Sequence, residues 1–323
     1  MLKKDKIILV TGASGSGGSY MLEELAKTSA TLYGLVRNSE KINTSIHQKL
    51  KSAVQFVFCD LNNFENLATL LAEIDADEIY HFASNANVSD SFIQPREILN
   101  NNINCALNLF EVCRQLNKKP KILLCSTSEV YGQVQSHETP ISELNMLRPA
   151  SPYAVSKTTQ DLLARVYWDA YQLPIIRGRM FTYINPRRRN LFATSFAVQV
   201  AQIERGQQNV LKHGNLNSVR THLDIRDAIQ AYIELMRHGQ PGEAYNLGGL
   251  NPFTVGEFLQ KLILKAKCPI KIELDEKLLR PTDVTLQIPD VSKFSKISNW
   301  QPTHSLDDSI DFLLEECRTQ VAT

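Results

Sequence analysis

The run Ile7-Ile8-Leu9-Val10-Thr11-Gly12-Ala13-Ser14-Gly15-Ser16-Gly17-Gly18, near the start of a 323-residue chain, governs how the rest is read. Ile7 to Val10 is a short apolar run with strand character, and from Ser19 to Lys27 the residues Met21, Leu22 and Leu25 recur at helical spacing. Between them, Gly12, Gly15 and Gly18 permit a tight turn, close approach of backbone to a pyrophosphate, and close packing of helix on strand. The helix N-terminus that follows offers oriented N–H groups to an anion. A glycine trio alone is weak evidence; between a first strand and a first helix it marks a dinucleotide site. Ser16 and Gly17, inside the same turn, are assigned to that site with the three glycines.

Strand-like and helix-like runs alternate downstream. Thr31–Val36, Val54–Cys59, Glu78–Phe82, Lys121–Cys125 and Pro174–Arg179 read as strands; Phe64–Ile74, Ile98–Leu116 and Pro152–Tyr171 read as helices. Short, nearly continuous apolar strands separated by helices suit a parallel sheet buried on both faces. The expectation is an α/β NAD(P)-binding Rossmann fold, a doubly wound parallel sheet, with a smaller C-terminal α/β substrate-binding lobe. Residues 1–178 are assigned to the Rossmann domain, with 222–249 returning to it; 179–221 and 250–323 are assigned to the substrate-binding lobe.

Composition narrows the partners. With 35 Lys+Arg against 34 Asp+Glu the net charge is +1, which gives no global pull toward nucleic acid or an anionic membrane. No stretch approaches the ~18 uninterrupted apolar residues of a membrane span, and the run before the first turn is shorter than the ~7 to 15 apolar residues of a signal peptide. The six cysteines, Cys59, Cys105, Cys113, Cys125, Cys268 and Cys317, form no C-x-x-C pair and lack histidine partners at zinc spacing. A cytoplasmic protein with reduced thiols and no metal is expected.

At the end of the second strand, where an acidic residue would hold a ribose 2′-hydroxyl, stands Arg37. A guanidinium pairs with a 2′-phosphate, so NADP(H) is expected rather than NAD. Asp60 and Leu61, after the third strand, sit where an adenine contact belongs. Tyr153 and Lys157 are separated by one helical turn, so phenol and ammonium can approach one ligand. A phenol with a pKa near 10 is a poor base at neutral pH, and a neighbouring cation makes it usable. Ser126-Thr127-Ser128-Glu129 ends the fifth strand and places hydroxyls and a carboxylate at the carboxyl edge of the sheet.

Taken together, the T-G-x-x-G-x-x-G turn at Thr11–Gly18, S-T-S-E-V-Y-G at Ser126–Gly132 and S-P-Y-A-V-S-K at Ser151–Lys157 resemble the extended short-chain dehydrogenase/reductase family. Within it the chain is similar to the GDP-mannose 4,6-dehydratases and the GDP-4-keto-6-deoxymannose reductases over nearly its whole length. The resemblance implies that Tyr153 exchanges the sugar O4 proton, Lys157 binds the nicotinamide ribose and lowers the tyrosine pKa, Thr127 or Ser128 bonds O4, and Glu129 removes the C5 proton. It also implies that the segment from His81 to Asn85, Ala83 and Ser84 among it, lines the cofactor. Asn85, Thr182 and Asn185 are placed on the substrate side, and Arg220 and Arg280 face the diphosphate of a GDP-sugar. Pro186-Arg187-Arg188 resembles a loop that reaches a cofactor across a subunit contact, which puts Arg188 at the cofactor and implies a homodimer or homotetramer.

Two reactions stay open. Thr127, the PRR pattern and the LVRNS stretch lean toward dehydratase; compact length and R-x-x-x-D-x-R-D at Arg220–Asp227 lean toward the 4-reductase. The dehydratase reading is preferred, and a nucleotide-sugar 4-epimerase or a non-catalytic NADP-binding regulator are the remaining alternatives. Phe181-Thr182-Tyr183, where the family usually shows F-N-H, and Asn85-Ala86-Asn87, in place of a glutamine-serine pattern, change the polar groups expected to face the hexose.

Overall fold

The computed structural model describes residues 6–38, 45–279 and 282–322. The first half runs β1 (Ile7–Thr11), α1 (Ser16–Leu25), β2 (Thr31–Val36), α2 (Ser45–Leu50), β3 (Val54–Phe58), α3 (Phe64–Ile74), β4 (Glu78–His81), α4 (Val88–Ile93), α5 (Pro95–Gln115), β5 (Lys121–Thr127), α6 (Pro152–Tyr171) and β6 (Ile175–Met180). The remainder is β7 (Tyr183–Ile184), α7 (Phe192–Glu204), β8 (Leu211–His213), β9 (Val219–Thr221), β10 (Leu223–Asp224), α8 (Ile225–His238), β11 (Ala244–Leu247), β12 (Pro252–Thr254), α9 (Val255–Leu264), β13 (Ile272–Leu274), β14 (Leu286–Gln287), α10 (Ser292–Ser295) and α11 (Leu306–Ala322).

Seven parallel strands form one sheet in the order β11-β6-β5-β4-β1-β2-β3. Side chains of β1 alternate between faces: Ile8 and Val10 join a core with Met21 and Leu22 of α1 and Ile229 and Tyr232 of α8. Leu9 joins the opposite core, with Leu67 of α3, Phe110 of α5 and Ala164 of α6. The fold is therefore the doubly wound Rossmann architecture, and β11 extends its sheet beside β6. A separate core unites Phe196 of α7, Phe258 of α9 and Leu313 of α11. Among the described residues no helix is long and apolar enough to cross a membrane.

The strand order reverses between β1 and β4, and ligand crevices open at the carboxyl ends of such neighbours. Thr11 pairs with His81, and His81 with Leu124, so β5 continues past β4 through Cys125, Ser126 and Thr127. That overhang carries the serine-threonine segment into the crevice. Helix α6 starts where Ser151 accepts from Ala154 N (3.1 Å), with Pro152 in its first turn, and this start places Tyr153 at the same edge.

Helix α1 begins at Ser16 rather than at Ser19, with Gly15 as its N-cap. Gly17 and Gly18 are poor helix formers, yet both are helical because the first turn lies against the Phe82 ring at Gly17 and against the Gly12 backbone at Gly18. Helix α5 likewise starts at Pro95, ahead of the apolar periodicity that begins at Ile98.

Beneath the overhang lies a buried ion cluster. Asp161 accepts from Arg177 (2.9 Å), from both Nη2 and Nε of Arg179 (2.8 and 3.0 Å), and from Ser126 Oγ (2.7 Å). Burial alone would raise the Asp161 carboxyl, but the Arg179 and Arg177 guanidiniums and the Ser126 hydroxyl carry it below the usual carboxylate range. Arg179 also donates to the Tyr131 hydroxyl (2.9 Å), which donates to Asn246 of β11 (2.7 Å). The segment that carries Glu129 is thereby braced against β6, β11 and α6.

Candidate active site

The floor of the crevice is backbone. Gly12 has φ +67°, and a Cβ there would stand 2.8 Å from Ala83 N, so the turn and the loop after β4 touch main chain to main chain. A Cβ on Gly18 would meet Gly12 O at 2.3 Å. Gly15 N donates to Gly12 O (2.8 Å), which closes the turn ahead of the α1 N-terminus. These are the features a pyrophosphate requires, and the residues present fit a dinucleotide. Thr11 Oγ1 links the floor together, contacting His81 Nδ1 (2.8 Å) and accepting from Ala83 N (3.3 Å). Burial, and then the Lys157 ammonium, push the His81 imidazole down to about 3, so it is neutral at ordinary pH.

Two cavities, of about 310 and 470 Å3, meet over this floor and share Gly12, Gly15, Phe82, Ser84 and Ala86. The larger is lined by Arg37, Asp60, Leu61, Ala83 and Asn85, together with Asn101. Arg37 stands 3.7 Å from Asp60 and donates to Asn101 Oδ1 (2.8 Å), which presents a guanidinium at the end of β2. Asn85 lies in this cavity, on the Arg37 side, and not in the one that holds Tyr153. Its main-chain N–H donates to Asn102 Oδ1 (2.7 Å) and its carbonyl accepts from Asn102 Nδ2 (3.0 Å), so α5 holds the loop there. Asn85 follows Ala83 and Ser84 along this cavity.

The other cavity gathers Ser16, Gly17, Gly18, Thr127, Ser128, Glu129, Tyr153, Lys157, Thr182, Arg188 and Arg220. Tyr153 and Lys157 are buried on one face of α6. Burial pushes the Tyr153 phenol well up, and the Arg188 guanidinium is the main charge that opposes it. Burial pulls the Lys157 ammonium down; it donates to Cys125 O (2.7 Å) and Gln160 Oε1 (2.6 Å), which leaves one of three N–H bonds for a ligand. Thr127 Oγ1 accepts from Glu129 N (3.3 Å), capping the turn that turns Glu129 into the cleft, and Gln287 of β14 donates to the Glu129 carboxylate (3.3 Å). A phenol, an ammonium, hydroxyls and a carboxylate thus share one space. Such groups can exchange protons with a bound ligand.

The three arginines after Pro186 diverge. Arg188 donates to Ala86 O (2.6 Å) and to the Tyr183 hydroxyl (3.3 Å) and lines the cleft of its own chain, so its place there needs no partner subunit. Arg187 lies over the Tyr20 ring at 3.6 Å and pairs with Glu23 (2.8 Å), pinning the loop to α1. Arg189 is exposed. Asn185 departs from its expected substrate role: it is fully buried, lines neither cavity, and its Oδ1 accepts from Arg187 N (2.9 Å). Asparagine before proline closes its own turn, which takes the side chain away from the cleft. Arg220 lines the cleft and donates to Val219 O (2.9 Å) and Val284 O. Arg280 lies outside the described residues.

Cys125, Tyr183, Tyr232, Gln287 and Asn101 also line the two cavities, though sequence did not assign them to the site. Tyr232 and Cys125 meet at 2.8 Å. Gln287 and Tyr232 arrive from distant elements with no local pattern to mark them. Asn101 is the exception: polar on the buried side of an amphipathic helix, it carries a readable signal. Among the described residues no three His, Cys, Asp or Glu side chains gather as a metal site, and the thiols are all unpaired.

Comparison with known proteins agrees with this geometry. The model of the GDP-mannose 4,6 dehydratase family matches residues 9–312. The chain is 28% identical to GDP-mannose 4,6 dehydratase 2 of Caenorhabditis elegans, over 93% of this chain and 86% of that one. It is 29% identical to GDP-mannose 4,6 dehydratase 1 of Arabidopsis thaliana, over 98% and 91%. The solved structure of RMD from Pseudomonas aeruginosa complexed with NADPH superimposes with a TM-score of 0.83 and 24% identity, covering 98% of this chain and 99% of the other, which shows the shared fold. With more than nine-tenths of its length inside the family model, and with tyrosine, lysine and carboxylate in one cleft, the chain belongs to the GDP-mannose 4,6 dehydratase family.

Proposed function

We propose that this chain converts a GDP-hexose, GDP-mannose in the first instance, to its 4-keto-6-deoxy form with NADP(H) as a bound cofactor that is not consumed. The observation that carries the reading is Glu129 in the same cleft as Tyr153 and Lys157. Oxidation at C4 needs a base for one hydroxyl proton. Loss of water across C5 and C6 needs a second base, because the C5 hydrogen is acidified only once the ketone exists.

When bound, NADP(H) supplies the acceptor and later the donor of hydride. Tyr153 takes the O4 proton, and Thr127 or Ser128 holds the O4 atom. Glu129 removes the C5 proton and hands it to the C6 hydroxyl, which departs as water; the same carboxyl group then returns a proton drawn from solvent to C5 as C6 becomes a methyl group. Lys157 uses its remaining N–H for the nicotinamide ribose. Arg220, with Arg280, takes the diphosphate through a fork suited to two oxygens. Arg37, held by Asn101 beside Asp60, takes the 2′-phosphate, which supports NADP(H) over NAD.

Residues 1–178 with 222–249 bind the cofactor, and 179–221 with 250–323 bind the sugar nucleotide. Val155, Leu162 and Val166 leave apolar surface exposed along one side of α6, which supports a homodimer or homotetramer. Incubation with GDP-mannose and catalytic NADP+ tests the reaction. A 4-keto-6-deoxy product without net change in nicotinamide absorbance supports it. Turnover of only the preformed keto sugar, with stoichiometric loss of NADPH, replaces it with the 4-reductase.

A further inference from the structure

Gln287 is a polar side chain where a buried strand would ordinarily place an apolar one. It is 3% exposed and belongs to β14, whose preceding residue, Leu286, packs against the core of Val130, Tyr131 and Phe181. Neighbouring side chains on a strand point to opposite faces, so Gln287 is turned into the cleft that it lines with Glu129 and Tyr153. There its Nε2 donates to Glu129 Oε1 at 3.3 Å. Burying an amide is costly unless a hydrogen bond compensates, and the Glu129 carboxylate is the partner that the structure provides.

The two ends of Glu129 are held by different parts of the chain. Its main chain sits in the turn after β5, where Glu129 N donates to Thr127 Oγ1 (3.3 Å) and Glu129 O accepts from Gly132 N (3.2 Å). The residue is half-buried, and among the described residues no lysine or arginine pairs with its carboxylate; Gln287 is the side chain that donates to it. The strand that carries Gln287 is itself fixed. Gln287 lies opposite Arg220 in the parallel pairing of β14 with β9, and the residues after it are bonded to Ile141, with Ile141 N donating to Ile288 O (2.7 Å) and Asp290 N to Ile141 O (2.8 Å).

We infer that Gln287 is a positioning residue for Glu129: its amide takes one carboxylate oxygen and thereby aims the other at the reacting carbon, C5 of the hexose. The inference deepens the proposed function and rests on Glu129 as its base. A base must be held within reach of the proton it removes, and a carboxylate free to turn loses that alignment. Oxidation at C4, which uses Tyr153, does not depend on Gln287.

The test is Gln287→Leu in the full chain, with GDP-mannose and saturating NADP+. kcat falls about tenfold while KM for GDP-mannose stays within about twofold, because the sugar still binds but C5 loses its proton more slowly. In a single turnover C4 oxidation keeps its rate, and reduced nicotinamide accumulates beyond the level seen in the unaltered chain. Added to Glu129→Gln, Gln287→Leu costs nothing further, since it acts through that carboxylate. Gln287→Met repeats these readings should the leucine variant not fold. An unchanged kcat, a change confined to KM, or an equal loss in the Glu129→Gln background overturns the inference, and the second of these makes Gln287 a sugar contact instead. Full turnover in Glu129→Gln, or no turnover of GDP-mannose by the unaltered chain, removes the reading beneath and the inference with it.

Discussion

Gly12, Gly15 and Gly18 reach the cleft as backbone from a single turn, whereas Tyr183, Arg188, Arg220 and Gln287 reach it as side chains from segments scattered between β7 and β14. The floor is fixed by close approach, since a single Cβ at Gly18 would collide with Gly12 O. The opposite wall is fixed by which segments of the second half of the chain lie across the opening. The floor accordingly specifies a generic ligand, a dinucleotide, and the wall specifies what is done beside it. The overhang of β5 belongs to both, because it rests on the sheet and carries Thr127, Ser128 and Glu129 into the cleft.

The largest expected effect lies under that overhang. Asp161→Ala strands Arg177 and Arg179 as buried, unpaired charges and is expected to cost about 3–5 kcal/mol in urea denaturation. Because pairing carries the Asp161 carboxyl below its ordinary value, its contribution is complete above about pH 4 and is lost as the pH falls through the folded-state value. The gap between the two proteins should narrow only in acid; a gap that narrows instead toward neutral pH contradicts the assignment.

On the reacting side, Glu129→Gln keeps the shape and removes the base. Turnover of GDP-mannose should fall by about a hundredfold to a thousandfold, with C4 oxidation still visible as nicotinamide absorbance in a single turnover. Retention of most activity would point to an epimerase, which needs no base at C5. On the floor, Gly18→Ala forces the turn apart and is expected to cost about 1–3 kcal/mol in thermal denaturation, with weakened NADP+ binding by fluorescence titration. Unchanged stability would mean that the turn has slack. The smallest effect is at Arg37, whose guanidinium is half exposed. Arg37→Ala should reduce the preference for NADP+ over NAD+ by about tenfold, read from the two dissociation constants, and an unchanged ratio removes Arg37 from the 2′-phosphate.

What sequence conveyed follows the same division. The sheet was legible because each strand is a short apolar run and each turn carries its own glycines or caps. Tyr153 and Lys157 were legible because one helical turn fixes their spacing, and Glu129 because it follows a strand whose end could be located. Asn185 was misplaced because a side chain that satisfies its own turn looks, in sequence, like one available to a ligand. The grip of Asn102 on the Asn85 backbone was not legible, because it comes from α5 and no neighbouring residue announces it. Gln287 was missed outright: it meets Glu129 only through the pairing of β14 with β9. The contrast between Arg187 and Arg188 was beyond reach for the same reason, since Tyr20, Glu23, Ala86 and Tyr183 decide which arginine faces which way.

Turnover of GDP-mannose in D2O with catalytic NADP+, followed by NMR of the sugar, tests the central claim most directly. If two bases serve adjacent carbons while hydride is returned internally, the product carries solvent deuterium at C5 and the former C4 hydrogen at C6. Deuterium absent from C5, or a C6 still bearing its hydroxyl, would contradict the account.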